Sequence, residues 1–173
     1  VMRDRGIIVT ERLVADIMHK NGWFSVRTNA KALYEYCERR KENILKQNFK
    51  AEKPNQVWVS DVTYFSYNVR KLYICVILDL YSRKVVAFKI SKRNSTQLTK
   101  ATFKYAYFSR KPQDGLIFHS DNGSNYISKS FYSYLKQFGV TQSFSRSGRP
   151  HDNAVSESFF KGMKAEELYR YKY

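Results

Sequence analysis

Leu116-Ile117-Phe118-His119-Ser120-Asp121-Asn122-Gly123-Ser124-Asn125 is the stretch on which the reading of the fold turns. After Gly115, the apolar run Leu116 to Phe118 reads as a short buried strand, and Asn122-Gly123 then turns the chain. Asp121 therefore stands at a strand end, at the mouth of a sheet, where polar groups converge without burying an unpaired charge. Taken alone, this acid could do no more than cap or hydrogen-bond the Asn-Gly turn. The segments on either side decide between the two readings.

Upstream, Val57, Val59, Asp61, Thr63 and Phe65 alternate with Trp58, Ser60, Val62 and Tyr64, all rich in strand formers. The pattern predicts a strand over Val57–Phe65, a turn at Asn68, a second strand over Leu72–Leu80 and a third over Lys84–Ser91. Tyr81-Ser82-Arg83 makes the tight connection between the last two, so the three form an antiparallel meander. Ser95 to Arg110 reads as a helix with Leu98, Ala101, Thr102, Tyr105 and Phe108 on its apolar face. Downstream of Asp121 come a helix over Ser128–Phe138 ended by Gly139, a strand over Val140–Phe144, a flexible stretch from Ser145 to Pro150 and a last helix over Asp152–Tyr169. The order βββ-α-β-α-β-α indicates an α/β fold, a mixed sheet with helices on its faces.

The region before Pro54 differs in character. Thr10 is a candidate N-cap for a helix running to Asn21, with Leu13, Val14, Ile17 and Met18 on one face and Gly22 ending it. Within a basic N-terminus this resembles part of a helix-turn-helix, and a small packing helix satisfies the pattern equally well. Residues 27–50 are charged and poor in apolar periodicity, and read as a partly helical, phosphate-facing linker or a solvated surface. The expected organisation is a small basic helical segment over 1–53 and one α/β domain over 54–173.

Charge limits the partner. The 173 residues carry 31 Lys and Arg against 15 Asp and Glu, a net charge of +16. Residues 57–173 hold 19 of the basic residues and only eight of the acids. Such an excess calls for a polyanion, and with no basic amphipathic segment of the membrane-surface kind, nucleic acid is preferred. No apolar run approaches the roughly 18 residues of a membrane span, and no basic-then-apolar leader is present. Cys37 and Cys75 lack CxxC spacing, which argues against a zinc site or a disulfide framework and makes a reduced, cytosolic compartment the default.

Three of those eight acids fall on separate elements. Asp61 sits mid-strand between apolar neighbours, where an unpaired acid is costly, so either a basic residue or a metal must hold it. Asp121 ends a strand. Glu157 lies on the last helix with Lys161 and Lys164 at i+4 and i+7, opposite Val155, Phe159, Phe160 and Met163. A solvated Glu–Lys face would explain Glu157 alone. Together, hard oxygen ligands from three elements suit Mg²⁺ or Mn²⁺, and two such ions can drive an in-line displacement at phosphorus.

Trp58-Val59-Ser60-Asp61-Val62-Thr63-Tyr64, then His119-Ser120-Asp121-Asn122-Gly123, then Asn153-Ala154-Val155-Ser156-Glu157-Ser158-Phe159-Phe160 together resemble the integrase core of bacterial insertion-sequence transposases, related to retroviral integrases. Thirty-five residues separate Asp121 from Glu157, the family's spacing, and Asp79-Leu80-Tyr81-Ser82-Arg83 fits the end of its second strand. The resemblance covers Pro54 to Leu168. It implies a ribonuclease-H-like fold with a five-stranded sheet, and Asp61, Asp121 and Glu157 as ligands of two divalent ions. It further implies cutting and joining of double-stranded transposon-end and target DNA by a bacterial, cytoplasmic protein that assembles as a homo-oligomer. Lys164 matches the family's basic residue seven positions after the Glu, and Lys161, Arg146 and Arg149 join it as expected DNA contacts. Asp79 is expected to anchor its turn, His119 and His151 to pack or face DNA, and Asn153 to shape the loop before the last helix. Gly148 suggests a hinge in a loop that closes over DNA.

The family usually carries a complete helix-turn-helix region before this core and further helices after it. The chain stops sixteen residues beyond Glu157, and the expectation is therefore a core cut short at its C-terminus. Two rival readings follow: a ribonuclease-H-like nuclease that cuts without joining, and a catalytically silent remnant that binds DNA by charge alone.

Overall fold

The computed structural model describes residues 10–21, 42–67, 70–146 and 150–170. The chain divides into two compact units, residues 1–39 and 40–173. In the first, helix α1 spans Glu11–Lys20, with the Leu13 N–H donating to the Thr10 hydroxyl at 3.2 Å, so Thr10 is its N-cap. The remainder of the expected helix-turn-helix and linker, residues 1–9 and 22–41, lies outside the described residues. No helix among those described is long and apolar enough to cross a membrane.

The second unit is built on one five-stranded sheet in the order β3-β2-β1-β4-β5. Strands β1 (Val57–Tyr67), β2 (Arg70–Asp79) and β3 (Val85–Ser91) form the antiparallel meander. The short strands β4 (Ile117–Ser120) and β5 (Thr141–Phe144) then extend it in parallel. The mixed sheet with helices on its faces is the expected architecture. Asp79 closes the β2–β3 turn: its carboxylate accepts from the Ser82 N–H (3.0 Å), the Ser82 hydroxyl (2.6 Å) and the Asn55 N–H (2.9 Å).

Alternation along the strands gives the sheet two apolar faces. One, formed by Trp58, Ile77 and Phe118, is covered by helices α2 (Thr96–Arg110), α3 (Ser124–Ile127) and α4 (Lys129–Gln137). The other, formed by Val57, Val59, Ile74, Val76 and Leu78, is covered by Leu45 and by Phe160 of helix α5 (Ala154–Met163).

Three expectations are corrected. Helix α2 buries Leu98, Thr99, Thr102, Phe103 and Ala106, while Tyr105 and Phe108 of the predicted apolar face are exposed. The helix carries two apolar stripes, and the one holding Phe103 wins because its ring fills the aromatic space above Trp58 and Phe118. Residues 42–50, expected in a solvated linker, place Asn43 and Leu45 in the core, and the Phe144 N–H donates to the Glu42 carbonyl at 2.9 Å. Finally, the single helix expected over Asp152–Tyr169 is a 3₁₀ turn at Pro150–Asn153, then α5, then a π-type turn at Lys164–Leu168 closed by the Tyr169 N–H on the Lys164 carbonyl.

Candidate active site

The parallel pairing of β1 with β4 brings two acids together. Ser60 stands opposite Ser120 at the end of the ladder, so Asp121 leaves β4 next to Asp61, which continues in β1 opposite Val76 of β2. The Ser60 hydroxyl is pinned to Tyr126 Oη at 2.9 Å on the α2–α4 side. Alternation then turns Asp61 to the face on which α5 packs. Asp121 is held by its own loop, accepting from the Gly123 N–H at 2.9 Å. A Cβ on residue 123 would meet the same carboxylate oxygen at 2.9 Å, so a larger residue there would displace the Asp121 carboxylate from this position.

Asp61 accepts from the Val62 N–H at 2.7 Å and from Asn153 Nδ2 at 3.4 Å. Its pKa is nevertheless raised to about 7. Burial is the largest cause, followed by the charge of Asp121, with a smaller push from Glu157, and no basic side chain among the described residues figures among the causes. Glu157 comes to this field from the first turn of α5, which is seated by the buried Ser156 and Phe160, while its own side chain stays exposed. Three acids from three elements thus act on one centre.

A carboxylate cluster without a basic partner is the donor set a hard divalent cation takes. Beside it, Asn153 Oδ1 is buried and has no hydrogen-bond partner among the described residues, a further oxygen of the right chemistry. Among the described residues, however, no three His, Cys, Asp or Glu side chains stand close enough to hold a metal as they are. The donor chemistry fits, and Asp61, Asp121 and Glu157 would have to close on an ion to hold it.

A buried polar network that the sequence did not suggest places α5. Asp152, 1% exposed, accepts from Asn43 Nδ2 (2.7 Å), Gln47 Nε2 (2.8 Å) and the Arg146 N–H (3.0 Å). The Arg146 N–H first, then the Gln47 and Asn43 amides, hold its carboxyl below the usual range. The Asp152 carbonyl accepts from His119 Nε2 at 3.0 Å, which puts the His119 proton on that nitrogen. Nδ1 then accepts from the Ser143 hydroxyl at 2.9 Å, and Ser143 Oγ accepts from the Ile44 N–H at 3.0 Å. With both nitrogens engaged and burial lowering its pKa, His119 is a neutral packing group. The only sequence signal for Asp152 is an acid just ahead of a helix, and nothing marks Asn43, 109 residues away. Asp152→Ala leaves three donors unsatisfied and is expected to cost roughly 3 kcal/mol. Asp152→Asn keeps one acceptor oxygen and should recover more than half of that; urea unfolding measures both.

Of the expected DNA contacts, Arg146 and Lys161 are exposed, and Lys164 Nζ lies 5.8 Å from the centre of the Tyr64 ring. Arg149 and Gly148 lie outside the described residues.

Comparison with known proteins follows the same lines. Residues 51–150 match the family model described as integrase core domain, a span that includes Asp61 and Asp121 and ends before Glu157. The chain is 37% identical over 171 residues to the transposase for insertion sequence element IS904 of Lactococcus lactis, covering 96% of this chain and 67% of that protein. It is 38% identical over 127 residues to the putative transposase InsK for insertion sequence element IS150 of Escherichia coli, covering 73% of this chain but 45% of that one. The second of these relatives is thus more than twice as long as the part matched, and the first about one and a half times as long. Among solved structures, the simian T-cell lymphotropic virus intasome in complex with a PP2A regulatory subunit superposes with a TM-score of 0.63 at 21% identity, over 70% of this chain and 42% of that one. The HTLV-2 integrase catalytic core in complex with magnesium gives 0.57 at 22% identity, over 67% of this chain and 71% of that one. At these identities the likeness is one of fold, the ribonuclease-H-like fold.

Proposed function

Because this chain belongs to the integrase core domain family, as insertion-sequence transposases do, we propose that it is the catalytic region of a DNA transposase. Its reactions would be hydrolysis of a phosphodiester at each transposon end, then attack of the freed 3′-hydroxyl on target DNA. Asp61, Asp121 and Glu157 are the proposed ligands of two Mg²⁺ or Mn²⁺ ions. The observation that carries this reading is the β1–β4 register, which ends at Ser60 and Ser120 and brings Asp61 next to Asp121, with Glu157 in the first turn of α5, in a chain of net charge +16. A bound pair of ions supplies a water or hydroxyl of lowered pKa and screens the oxygen that leaves.

The protein's own part is placement. The β1–β4 register sets Asp61 beside Asp121, the Asp152 network sets the start of α5, and Asn153 orients Asp61. Lys161, Lys164, Arg146 and Arg149 are proposed to hold DNA phosphates. No covalent protein–DNA intermediate is required, since water and then DNA serve as nucleophiles. We place the protein in the bacterial cytoplasm, working at the nucleoid as a homo-oligomer that joins two DNA ends.

The test is Mn²⁺-dependent nicking of terminal-repeat duplex by the chain and by Glu157→Gln. Nicking should fall at least about a hundredfold in the variant while DNA affinity stays within about twofold; equal nicking by both would exclude Glu157 as a ligand. One observation favours a second reading, a DNA-binding protein without chemistry: the three acids are not gathered to metal-holding distance as they stand. That reading predicts salt-sensitive binding indifferent to Mn²⁺ and no nicking by either protein. A pre-cut end separates a transposase from a nuclease, because only the former yields strand-transfer product.

A further inference from the structure

Two hydroxyls and a thiol gather on the α2–α4 face of the sheet, at the residue that precedes Asp61. Tyr126 Oη and Ser60 Oγ share a hydrogen bond of 2.9 Å, and Cys75 Sγ lies 3.8 Å from each oxygen. All three residues are 2% exposed or less, so these groups rely on one another. The Tyr126 ring packs 5.6 Å from that of Phe131 and 6.3 Å from that of Phe118, contacts that a phenylalanine would make equally well. Packing therefore does not account for the hydroxyl. Its place in the chain does. Tyr126 lies on the short α3, five residues after Asp121, and its hydroxyl reaches back to the strand that carries Asp61. Beyond the end of the β1–β4 ladder, this bond joins the segment holding one acid to the strand holding the other. On its other side the same segment is held at β5, where Gln142 Nε2 donates to the Tyr126 carbonyl at 2.9 Å and Asn122 Nδ2 to the Ser145 carbonyl at 2.7 Å. Burial first, then Cys75, with smaller pushes from Asp61 and Asp121, raises the Tyr126 hydroxyl well above its usual range. It stays protonated and lies within the field of both acids.

We propose that Tyr126 is a positioning residue for the metal site: its hydrogen bond to Ser60 fixes the Asp121 segment against β1 and so sets the spacing at which Asp61 and Asp121 meet a divalent ion. The proposal rests on the transposase reading above in taking those two acids as ligands. Ser60 and Asp61 are consecutive on an extended strand and point to opposite faces, so a bond that holds the Ser60 side chain also holds the backbone from which Asp61 projects. The hydrogen bond that Asp121 accepts from the Gly123 N–H is internal to its own loop and sets no distance to β1. Without the Tyr126–Ser60 tie, that loop is free to drift against the strand. An oxygen cage with bonds of about 2.1 Å tolerates a drift of only roughly 0.2 Å. Groups that hold the ligands of a metal from behind characteristically act on its affinity.

The test compares the 173-residue chain with Tyr126→Phe, Ser60→Ala and the double variant. Mn²⁺ binding is read by electron paramagnetic resonance, stability by metal-free thermal melts, and nicking as a function of Mn²⁺ concentration. Each single substitution leaves one buried hydroxyl without its partner and should lower the melting temperature by several degrees. The double substitution removes both hydroxyls and should bring it back to within about two degrees of the wild type. Mn²⁺ affinity should nevertheless fall about tenfold in all three variants, since none of them has the tie. Half-maximal nicking should need about ten times more Mn²⁺, with the rate at saturating Mn²⁺ within about threefold and DNA affinity within about twofold. Mn²⁺ affinity that is unchanged in Tyr126→Phe, or that returns together with stability in the double variant, would leave the hydroxyl a purely structural role and overturn the proposal. Failures separate. Proteins that all nick and bind Mn²⁺ alike refute the positioning role alone. Variants that bind Mn²⁺ about tenfold more weakly than a wild type that never nicks refute the transposase reading alone. A wild-type chain that binds no Mn²⁺ refutes both.

Discussion

Asp61→Asn is expected to eliminate metal-dependent nicking, by about a thousandfold or more, and at the same time to make the metal-free protein more stable. Both effects have one origin. The folded chain holds Asp61 at a pKa of about 7 against 3.8 for the unfolded residue, because burial, Asp121 and to a lesser degree Glu157 oppose its charge. Between those values the folded state keeps the proton that the unfolded state has released. Stability therefore falls as pH rises from about 4 to about 7, and levels off above. At about 1.4 kcal/mol per unit, the loss by pH 8 is of order 4 kcal/mol. Asn carries no charge and escapes it, so the variant should melt several degrees higher at pH 8 and match the wild type near pH 4. Divalent cation should reverse the ranking by neutralising the wild-type cluster, which the variant binds poorly. Thermal melts at pH 4 and 8, with and without Mg²⁺, check the whole argument. A melting temperature for Asp61→Asn below that of the wild type at pH 8 without metal would remove its basis.

Phe103→Ala should be among the most damaging core substitutions. Its side chain is fully buried on α2, and its ring lies 5.5–6.4 Å from those of Trp58, Tyr107, Phe118, Tyr134 and Phe138. It therefore joins β1, β4, α2 and α4 at one point. Removing it leaves a cavity that five rigid rings cannot collapse into, and the expected cost is about 3–5 kcal/mol. Against a total of about 5–15 kcal/mol for a domain, much of the chain would be unfolded at moderate temperature. Phe103→Leu should cost less than half as much. Urea unfolding of the two variants measures both, and a loss below about 1 kcal/mol for Phe103→Ala would show that the aromatic cluster is not the keystone of this face.

The same residue shows where pattern reading stops. Helix α2 carries apolar side chains on two stripes, and periodicity favours Leu98, Ala101, Thr102, Tyr105 and Phe108. Which stripe is buried depends on what the sheet presents, and Trp58 and Phe118 select Phe103. Residues 42–50 are a second case. Their composition is that of a solvated linker, yet Asn43 and Leu45 are buried, because Asp152 needs the Asn43 amide and the β2 face needs Leu45. Local composition holds no record of a partner about a hundred residues away.

What the sequence determined by itself is the five strands, the two longer helices between them and the order in which they follow one another. Period-two alternation over Val57–Phe65, the turn residues around Asn68 and Tyr81–Arg83, and the glycine after Phe138 are local signals with local physical causes, and they specify the meander and the helices that follow. Three spaced motifs, together with the net positive charge, also named the family to which the chain belongs. The tertiary structure decided how the acids meet. Parallel pairing of β4 on β1 stops at Ser60 and Ser120, which leaves Asp61 and Asp121 side by side. The buried Asp152, held by Asn43 and Gln47 from about a hundred residues away and by the nearby Arg146 N–H, then fixes where α5 begins and with it Glu157. Strand register and buried hydrogen bonds join residues far apart in the chain, and each is settled only when the whole sheet closes, so the electrostatic centre at Asp61 belongs to the fold and not to any one stretch of sequence.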